Sequence, residues 1–313
     1  MNVRPSSAAR AKGPLVWLDM DQQALDDAYD QEVYAPNREL IVKRRHAASD
    51  RARARLGAPL RLAYGPSEIE KLDVFRAPLP YPPPLAGEGG EGAPVNVFVH
   101  GGAWRRNKAA DYVLLAEPLV HAGAHCVILD FINVDEAGGD LMPMYEQVRR
   151  ALAWVYNNAA SFGGDRARIH ISAHSSGSHL AGVVLARGWR EAGLPADAFK
   201  GAVLLSGMYD LKPVRLSKRS AYVTFTDRME ELLSAQRHLD GLNTPLILGH
   251  GTQETPEFQR QSRDFAAAVK AKGKPVELIV GEGYNHFELL ETLANPYGLL
   301  GRAMFEQMQL IAK

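Results

Sequence analysis

The sequence predicts an α/β fold with a mostly parallel central sheet flanked by helices. Six short apolar runs follow one another from residue 95 onward, with helical stretches between them. They are Val95–Val99, Cys126–Phe131, Ile169–Ala173, Ala202–Leu205, Leu246–Leu248 and Val276–Val280. Continuous apolar runs are typical of strands that are buried on both faces of a parallel sheet. Because strands and helices alternate along the chain, a doubly wound sheet is expected.

The helices that should cover this sheet are marked by apolar residues at helical spacing. Met144, Val148 and Leu152 predict one of them. Another should end just after Val269, because Gly273 stands where a helix would stop.

The N-terminal segment differs in composition from the rest. Residues 1–65 are polar, and helices are expected at Asp21–Tyr29 and Arg38–Leu56. Their apolar content is too low for a core of their own. We therefore expect a single domain over residues 1–313, with residues 1–65 as an N-terminal arm or cap on a core of residues 66–313. A strand at Lys71–Arg76 should lead into a proline- and glycine-rich hairpin loop over residues 78–92.

Composition and charge argue against several classes of protein. Of the 313 residues, 46% are hydrophobic and 23% are charged, as in a globular protein rather than a disordered or fibrous one. Basic and acidic residues both number 36. No net positive field would attract nucleic acid or an anionic membrane, so neither is an expected partner.

Cysteine content and hydropathy bear on location. The single cysteine, Cys126, lies in an apolar run, which predicts a buried thiol and excludes an internal disulfide. No stretch approaches the roughly 18 apolar residues of a membrane span, and the first residues lack the apolar run of a signal peptide. A cytoplasmic protein is expected. Zero net charge gives little repulsion against self-association, which leaves a homo-oligomer open.

The most informative motif is Ala173–Gly177, where an apolar run meets the start of a helix. It follows the small-x-Ser-x-Gly pattern of a nucleophile elbow. Residues two positions before and after the nucleophile must be small, because bulkier ones would collide at the sharp turn. We therefore expect Ser175 to be the nucleophile, with the helix start favouring negative charge on the reacting oxygen. The rival hydroxyls of Ser172, Ser176 and Ser178 are not centred in the motif.

A second motif, His100–Trp104, reads His-Gly-Gly-Ala-Trp at the end of a buried run. Consecutive glycines leave backbone N–H groups open to a ligand, as in the oxyanion loops of esterases and lipases. Gly102 and Ala103 are expected to donate their N–H groups to an oxyanion, and Ser176 to add a third. His100 invites a catalytic interpretation, but a structural role in holding the loop is favoured.

A histidine and a carboxylate would complete such a site. The chain order for this kind of site is serine, acid, histidine. His286 follows the last predicted strand and is the expected general base. Glu254 follows the Leu246–Leu248 run and is the favoured acid, while Asp210 is the alternative. Either carboxylate could instead only cap a helix.

The motifs His100–Trp104 and Ala173–Gly177, together with His286, resemble the HGG branch of the α/β-hydrolase superfamily. Further segments look like the bacterial kynurenine formamidase (arylformamidase) family and its relatives. These segments are Leu25–Tyr29, Leu72–Phe75, Ser206–Leu211, Thr255–Ser262 and Asn285–Phe287. The chain departs from the family pattern at Ala173, where glycine is usual, and at Glu254, where aspartate is usual.

The resemblance implies an α/β-hydrolase fold and a serine hydrolase. Such an enzyme would cleave a small aryl formamide, amide or ester through an acyl-enzyme, without a metal or organic cofactor. A carboxylesterase is the main alternative, and a hydrolase-fold protein that binds a ligand without turnover is a lesser one.

Aromatic residues near the catalytic motifs are candidates for binding a planar substrate. Trp104, Tyr209 and Tyr284 are the expected substrate-binding residues, with Tyr222 and Phe225 as further candidates. The adjacent Arg105–Arg106 pair could meet a substrate carboxylate, although a solvated pair is favoured.

Overall fold

An eight-stranded sheet forms the centre of the computed structural model, which describes residues 13–78 and 92–311. The strands are β1 Leu15–Trp17, β2 Met20–Asp21, β3 Leu60–Ala63, β4 Lys71–Phe75, β5 Ala93–Val99, β6 His125–Leu129, β7 Gly164–His174, β8 Gly201–Leu205, β9 Leu246–Gly251 and β10 Val276–Gly281. Across the large sheet the order is β10-β9-β8-β7-β5-β6-β4-β3, and β1 and β2 form a separate ribbon. Strands β5 to β10 run parallel, whereas β4 and β3 join antiparallel beyond β6. The predicted mostly parallel sheet is confirmed.

Helices cover both faces of this sheet. They are α1 Gln22–Ala28, α2 Gln31–Tyr34, α3 Arg38–Leu56, α4 Ala116–His121, α5 Met142–Asn158, α6 Ser176–Val183, α7 Trp189–Glu191, α8 Leu211–Leu216, α9 Asp227–Leu232, α10 Pro256–Ala271, α11 His286–Glu291 and α12 Leu299–Gln307. Within residues 13–78 and 92–311, no helix is long and apolar enough to cross a membrane.

Successive side chains along the central strands point to opposite faces of the sheet, so the core has two layers. Val97 on β5 packs in one buried cluster with residues of α5, α6 and α10, while its neighbour Phe98 packs in the other with residues of α4 and α12. Strand β10 differs, because it lies at the edge of the sheet and leaves Val280 45% exposed. The expectation of full burial was therefore wrong for Val276–Val280.

Strands β4 and β5, which flank the predicted hairpin loop, are not neighbours in the sheet. Residues 79–91 lie outside the described residues, but the strands on either side of them are separated in the sheet by β6. Strand β4 pairs antiparallel with β6, and β5 pairs parallel with β6 from the other side. Because β6 lies between them, β4 and β5 are not hairpin partners, and the hairpin expectation was wrong.

The N-terminal arm is built into the core rather than laid over it. Both predicted helices are present, as α1 and α3, and Leu60–Ala63 already belongs to the large sheet, so the sheet begins before residue 66. Tyr29, just after α1, is buried, and its hydroxyl donates to Glu257 on α10 (2.8 Å). The side-chain amide of Gln261, one turn along α10, donates back to the same hydroxyl (2.7 Å). This buried polar contact fixes the arm to the helix that precedes β10.

Candidate active site

Ser175 occupies a sharp turn between β7 and α6. Its backbone has φ +57° and ψ −125°, a conformation that an L-residue adopts only under constraint. The constraint comes partly from its N–H, which donates to the Leu205 carbonyl on β8 (2.9 Å). Two residues on, a Cβ at Gly177 would lie 2.1 Å from the Val99 carbonyl oxygen, so only glycine lets α6 pack against the end of β5. The geometry is that of the predicted elbow.

The loop after β5 lies against this turn. Gly102 has φ +131°, and a Cβ there would lie 2.2 Å from the Arg106 carbonyl oxygen. The N–H groups of Gly102 and Ala103 have no acceptor among the described residues, and the Ser176 N–H is in the open first turn of α6. The Trp104 N–H donates to Ser176 Oγ (3.1 Å), which ties the loop to the elbow.

His286 and Glu254 form a buried hydrogen-bonded pair. Glu254 Oε2 lies 2.7 Å from His286 Nδ1, and both side chains are almost fully buried. The other oxygen, Oε1, accepts from Ser206 Oγ and from the Gly251 N–H, each at 2.7 Å. Since an ionised carboxylate only accepts hydrogen bonds, these three donors fix its orientation and direct Oε2 at the ring.

Asp210 lies elsewhere. Its side chain caps α8 by accepting from the Lys212 N–H (3.1 Å), and it also faces Arg237 at 3.5 Å. The structure therefore brings Glu254, and not Asp210, into contact with His286.

Two further histidines, His174 and His100, lie near Ser175 and His286. His174 Nε2 lies 3.0 Å from the His286 carbonyl oxygen, and burial together with the neighbouring His286 holds its pKa well below the usual value. Because a carbonyl only accepts, the neutral His174 must carry its proton on Nε2, and it anchors the backbone of His286. His100 stacks on Phe131 with ring centroids 4.4 Å apart and is not among the residues that line the site, in keeping with a structural role.

A cavity of about 220 Å³ opens between the catalytic motifs and the arm. From the core, the residues that line it include Ser175, His286, His174, Gly102, Ala103, Arg219 and Tyr222. From the arm, they include Tyr29, Gln31, Arg38, Val42 and Arg45. The structure thus brings together the predicted nucleophile, base and loop, and it adds a wall of arm residues that sequence reasoning missed.

The three aromatic residues expected to bind substrate do not line this cavity. Trp104 is buried, with its indole N–H directed at His179 Nδ1 (3.2 Å). Tyr209 is fully buried and stacks on Phe265 at 4.1 Å. Tyr284 faces a different surface groove, and of the aromatic candidates it is Tyr222 that reaches the cavity.

The fold and the His-Gly-Gly loop together define the protein as an α/β hydrolase of the HGG type. Residues 84–191 match the BD-FAE family. Over nearly the whole length of both chains, the sequence is similar to kynurenine formamidases of two fishes. The protein from Danio rerio is 26% identical over 303 residues (93% of this chain and 98% of the relative), and that from Salmo salar is 28% identical over 296 residues (89% and 94%).

Solved structures agree on the fold. A thermophilic esterase from Thermogutta terrifontis superimposes with a TM-score of 0.63 at 19% identity, over 82% of this chain and 95% of the esterase. The fold is therefore that of an α/β hydrolase, and the similarity to the kynurenine formamidases supports a hydrolase enzyme, as the sequence motifs predicted.

Proposed function

We propose that Ser175, His286 and Glu254 act as a catalytic triad that cleaves a small aryl formamide, with related amides and esters as further substrates. The observation that carries the proposal is the buried hydrogen bond between Glu254 and His286 beside a cavity that Ser175 also lines. A formamide is proposed as the substrate because the two similar fish proteins are kynurenine formamidases. The cavity volume of about 220 Å³ is below the roughly 300 Å³ at which pockets for drug-sized ligands begin, which favours a small substrate.

The reaction starts with attack by Ser175 Oγ on the carbonyl carbon, while its proton passes to His286 Nε2. The negative charge that develops on the carbonyl oxygen is met by the N–H groups of Gly102, Ala103 and Ser176. Each such donor is worth roughly 3 kcal/mol in the transition state. Glu254 stabilises the imidazolium through Nδ1.

Collapse of the tetrahedral intermediate breaks the bond to the leaving group. The aryl amine or alcohol takes the proton from His286 as it departs and leaves an ester on Ser175. Water, deprotonated by the same imidazole, then attacks the ester and releases the acid, which is formate when the substrate is a formamide. Ser175 regains its proton, and no other reactant is consumed.

Purified enzyme tests the proposal when kcat/KM for N-formylkynurenine is compared with that for p-nitrophenyl acetate. Turnover of both, with the formamide preferred, is expected. The Ser175→Ala variant should lose roughly 10⁶-fold in kcat on either substrate while it remains folded. Turnover of the ester alone would identify a carboxylesterase, and a Ser175→Ala variant with more than a tenth of wild-type activity would contradict the assignment of the nucleophile.

A further inference from the structure

Two arginines on the cavity wall are buried without a carboxylate partner. Arg45 on α3 is 5% exposed and Arg219 is 6% exposed, and neither forms an ion pair with any acid of the described residues. The other basic residues around the cavity differ from them. Arg38 pairs with Glu32, Arg105 with Asp135 and Lys218 with Asp30.

Of the two arginines, Arg45 has fewer hydrogen-bond partners. Arg219 donates to Tyr222 Oη (2.7 Å) and to the Tyr29 carbonyl (3.1 Å). Arg45 makes no hydrogen bond within residues 13–78 and 92–311, and its Nε is buried without an acceptor. Its guanidinium lies over the ring of Tyr112, with Cζ 4.8 Å from the centroid.

Arg45 is also close to the oxyanion loop. The amide nitrogen of Asn107 donates to the hydroxyl of Tyr112 (2.9 Å) and to the Gly101 carbonyl (3.1 Å), so the ring beneath the guanidinium contacts that loop through one side chain. A ligand group on Arg45 would therefore lie in the same cavity as a carbonyl held at Ser175.

A buried charge without a partner is costly to the fold, and such arginines are normally paired. The planar guanidinium fork matches a carboxylate in two parallel hydrogen bonds. The two acids that line the cavity form ion pairs with other residues, Asp30 with Lys218 and Glu32 with Arg38. Among the described residues, no carboxylate of the cavity lining pairs with Arg45, so a ligand carboxylate can serve as its partner.

We infer that Arg45 is the residue that binds a carboxylate which the substrate carries at a position away from the cleaved bond. The inference rests on the proposed function for the reacting end of the molecule. Arg219 strengthens the positive field on the same wall, and Arg105, which is paired with Asp135, is not needed for the contact.

Binding without turnover separates this inference from the catalytic proposal. In the Ser175→Ala background, calorimetric titration with 3-phenylpropionate should give a dissociation constant well below that of its uncharged carboxamide. Arg45→Met should reduce this preference for the acid roughly 10- to 100-fold, the range expected for a charge-assisted contact. Arg45→Lys should retain part of it, because the charge remains but the fork is lost.

Arg44→Met is the matched control, since Arg44 is on the same helix but points away from the cavity toward Glu291. The Arg44→Met variant should bind the acid in preference to the carboxamide to the same degree as the protein with Arg44. Thermal unfolding gives a second readout. A ligand-binding Arg45 predicts that Arg45→Met melts at or above the wild-type temperature and that 3-phenylpropionate no longer raises it.

Equal binding of acid and carboxamide by wild type, or an unchanged preference in both Arg45 variants, would overturn the inference even if Ser175 proves to be the nucleophile. Conversely, loss of acid preference in Arg45→Met would uphold it even in a protein that fails to hydrolyse the formamide.

Discussion

Replacing Glu254 by glutamine should disable catalysis through a change of tautomer on His286. The wild-type carboxylate uses Oε1 for two donors, Ser206 Oγ and the Gly251 N–H, and Oε2 for His286. A glutamine has one acceptor oxygen and one NH₂ group. If the NH₂ faced the Gly251 N–H, two donors would meet, so the oxygen must stay there and the NH₂ must face the ring.

That orientation reverses the hydrogen bond to the imidazole. Nδ1 of His286 must then accept, which leaves the proton on Nε2, where it cannot take one from Ser175. The imidazolium also loses its neighbouring negative charge. In the serine-protease triad the corresponding change costs about 10⁴ in kcat, or about 5.5 kcal/mol, and a similar loss is expected here.

The assay is kcat/KM on one activated ester for Glu254→Gln and Asp210→Asn side by side, with circular dichroism to show that both variants fold. Asp210→Asn should stay within a few-fold of wild type, since Asp210 caps α8 and asparagine is an equally good cap. A nearly fully active Glu254→Gln beside a crippled Asp210→Asn would refute the reasoning and move the acid to Asp210.

Three further outcomes are expected. A serine-directed phosphonate should abolish activity and add its mass to the peptide that holds Ser175, while EDTA has no effect; inactivation by the chelator alone would contradict a metal-free mechanism. Gly177→Ala should give an inactive, destabilised protein in urea titration, because its Cβ would meet the Val99 carbonyl; a stable, active variant would remove the packing argument. The free energy of unfolding should fall from pH 7 to pH 5. Burial lowers the pKa of His170 and His179 to about 4. As the pH falls, these histidines are therefore protonated in the unfolded chain before they are protonated in the folded one, which costs roughly 2 kcal/mol of unfolding free energy per histidine. The contribution of the two histidines to stability is present above the ordinary histidine pKa near 6.5 and is lost below it. A urea midpoint that stays the same from pH 7 to pH 5 would contradict this prediction.

The local geometry of this site could be predicted from the sequence because its motifs are local. The elbow at Ser175 and the glycines of the oxyanion loop obey steric rules that span only a few residues, and the structure shows the expected backbone at both. His286 followed from chain order alone. Chain order favoured Glu254 but left Asp210 open, and only the spatial neighbourhood of the imidazole separates the two.

The cavity wall could not be predicted in the same way, because it depends on contacts between distant parts of the chain. The expected aromatic residues near the motifs, Tyr209 among them, point into the core. The arm that lines the cavity is far from Ser175 in sequence. A signal for Arg45 was nevertheless present: it shares a helical face with Ile41 and Ser49, so a lone arginine interrupts the buried face of α3.

Bond cleavage and substrate choice are carried by different stretches of the polypeptide. The groups proposed to break the bond all follow residue 100, whereas much of the wall that meets the rest of the substrate comes from residues 29–45. The two properties can therefore be altered separately. Substitutions in α2 and α3 could retune the choice of substrate while the proposed triad stays intact, which makes the arm the natural region to randomise when new substrates are sought.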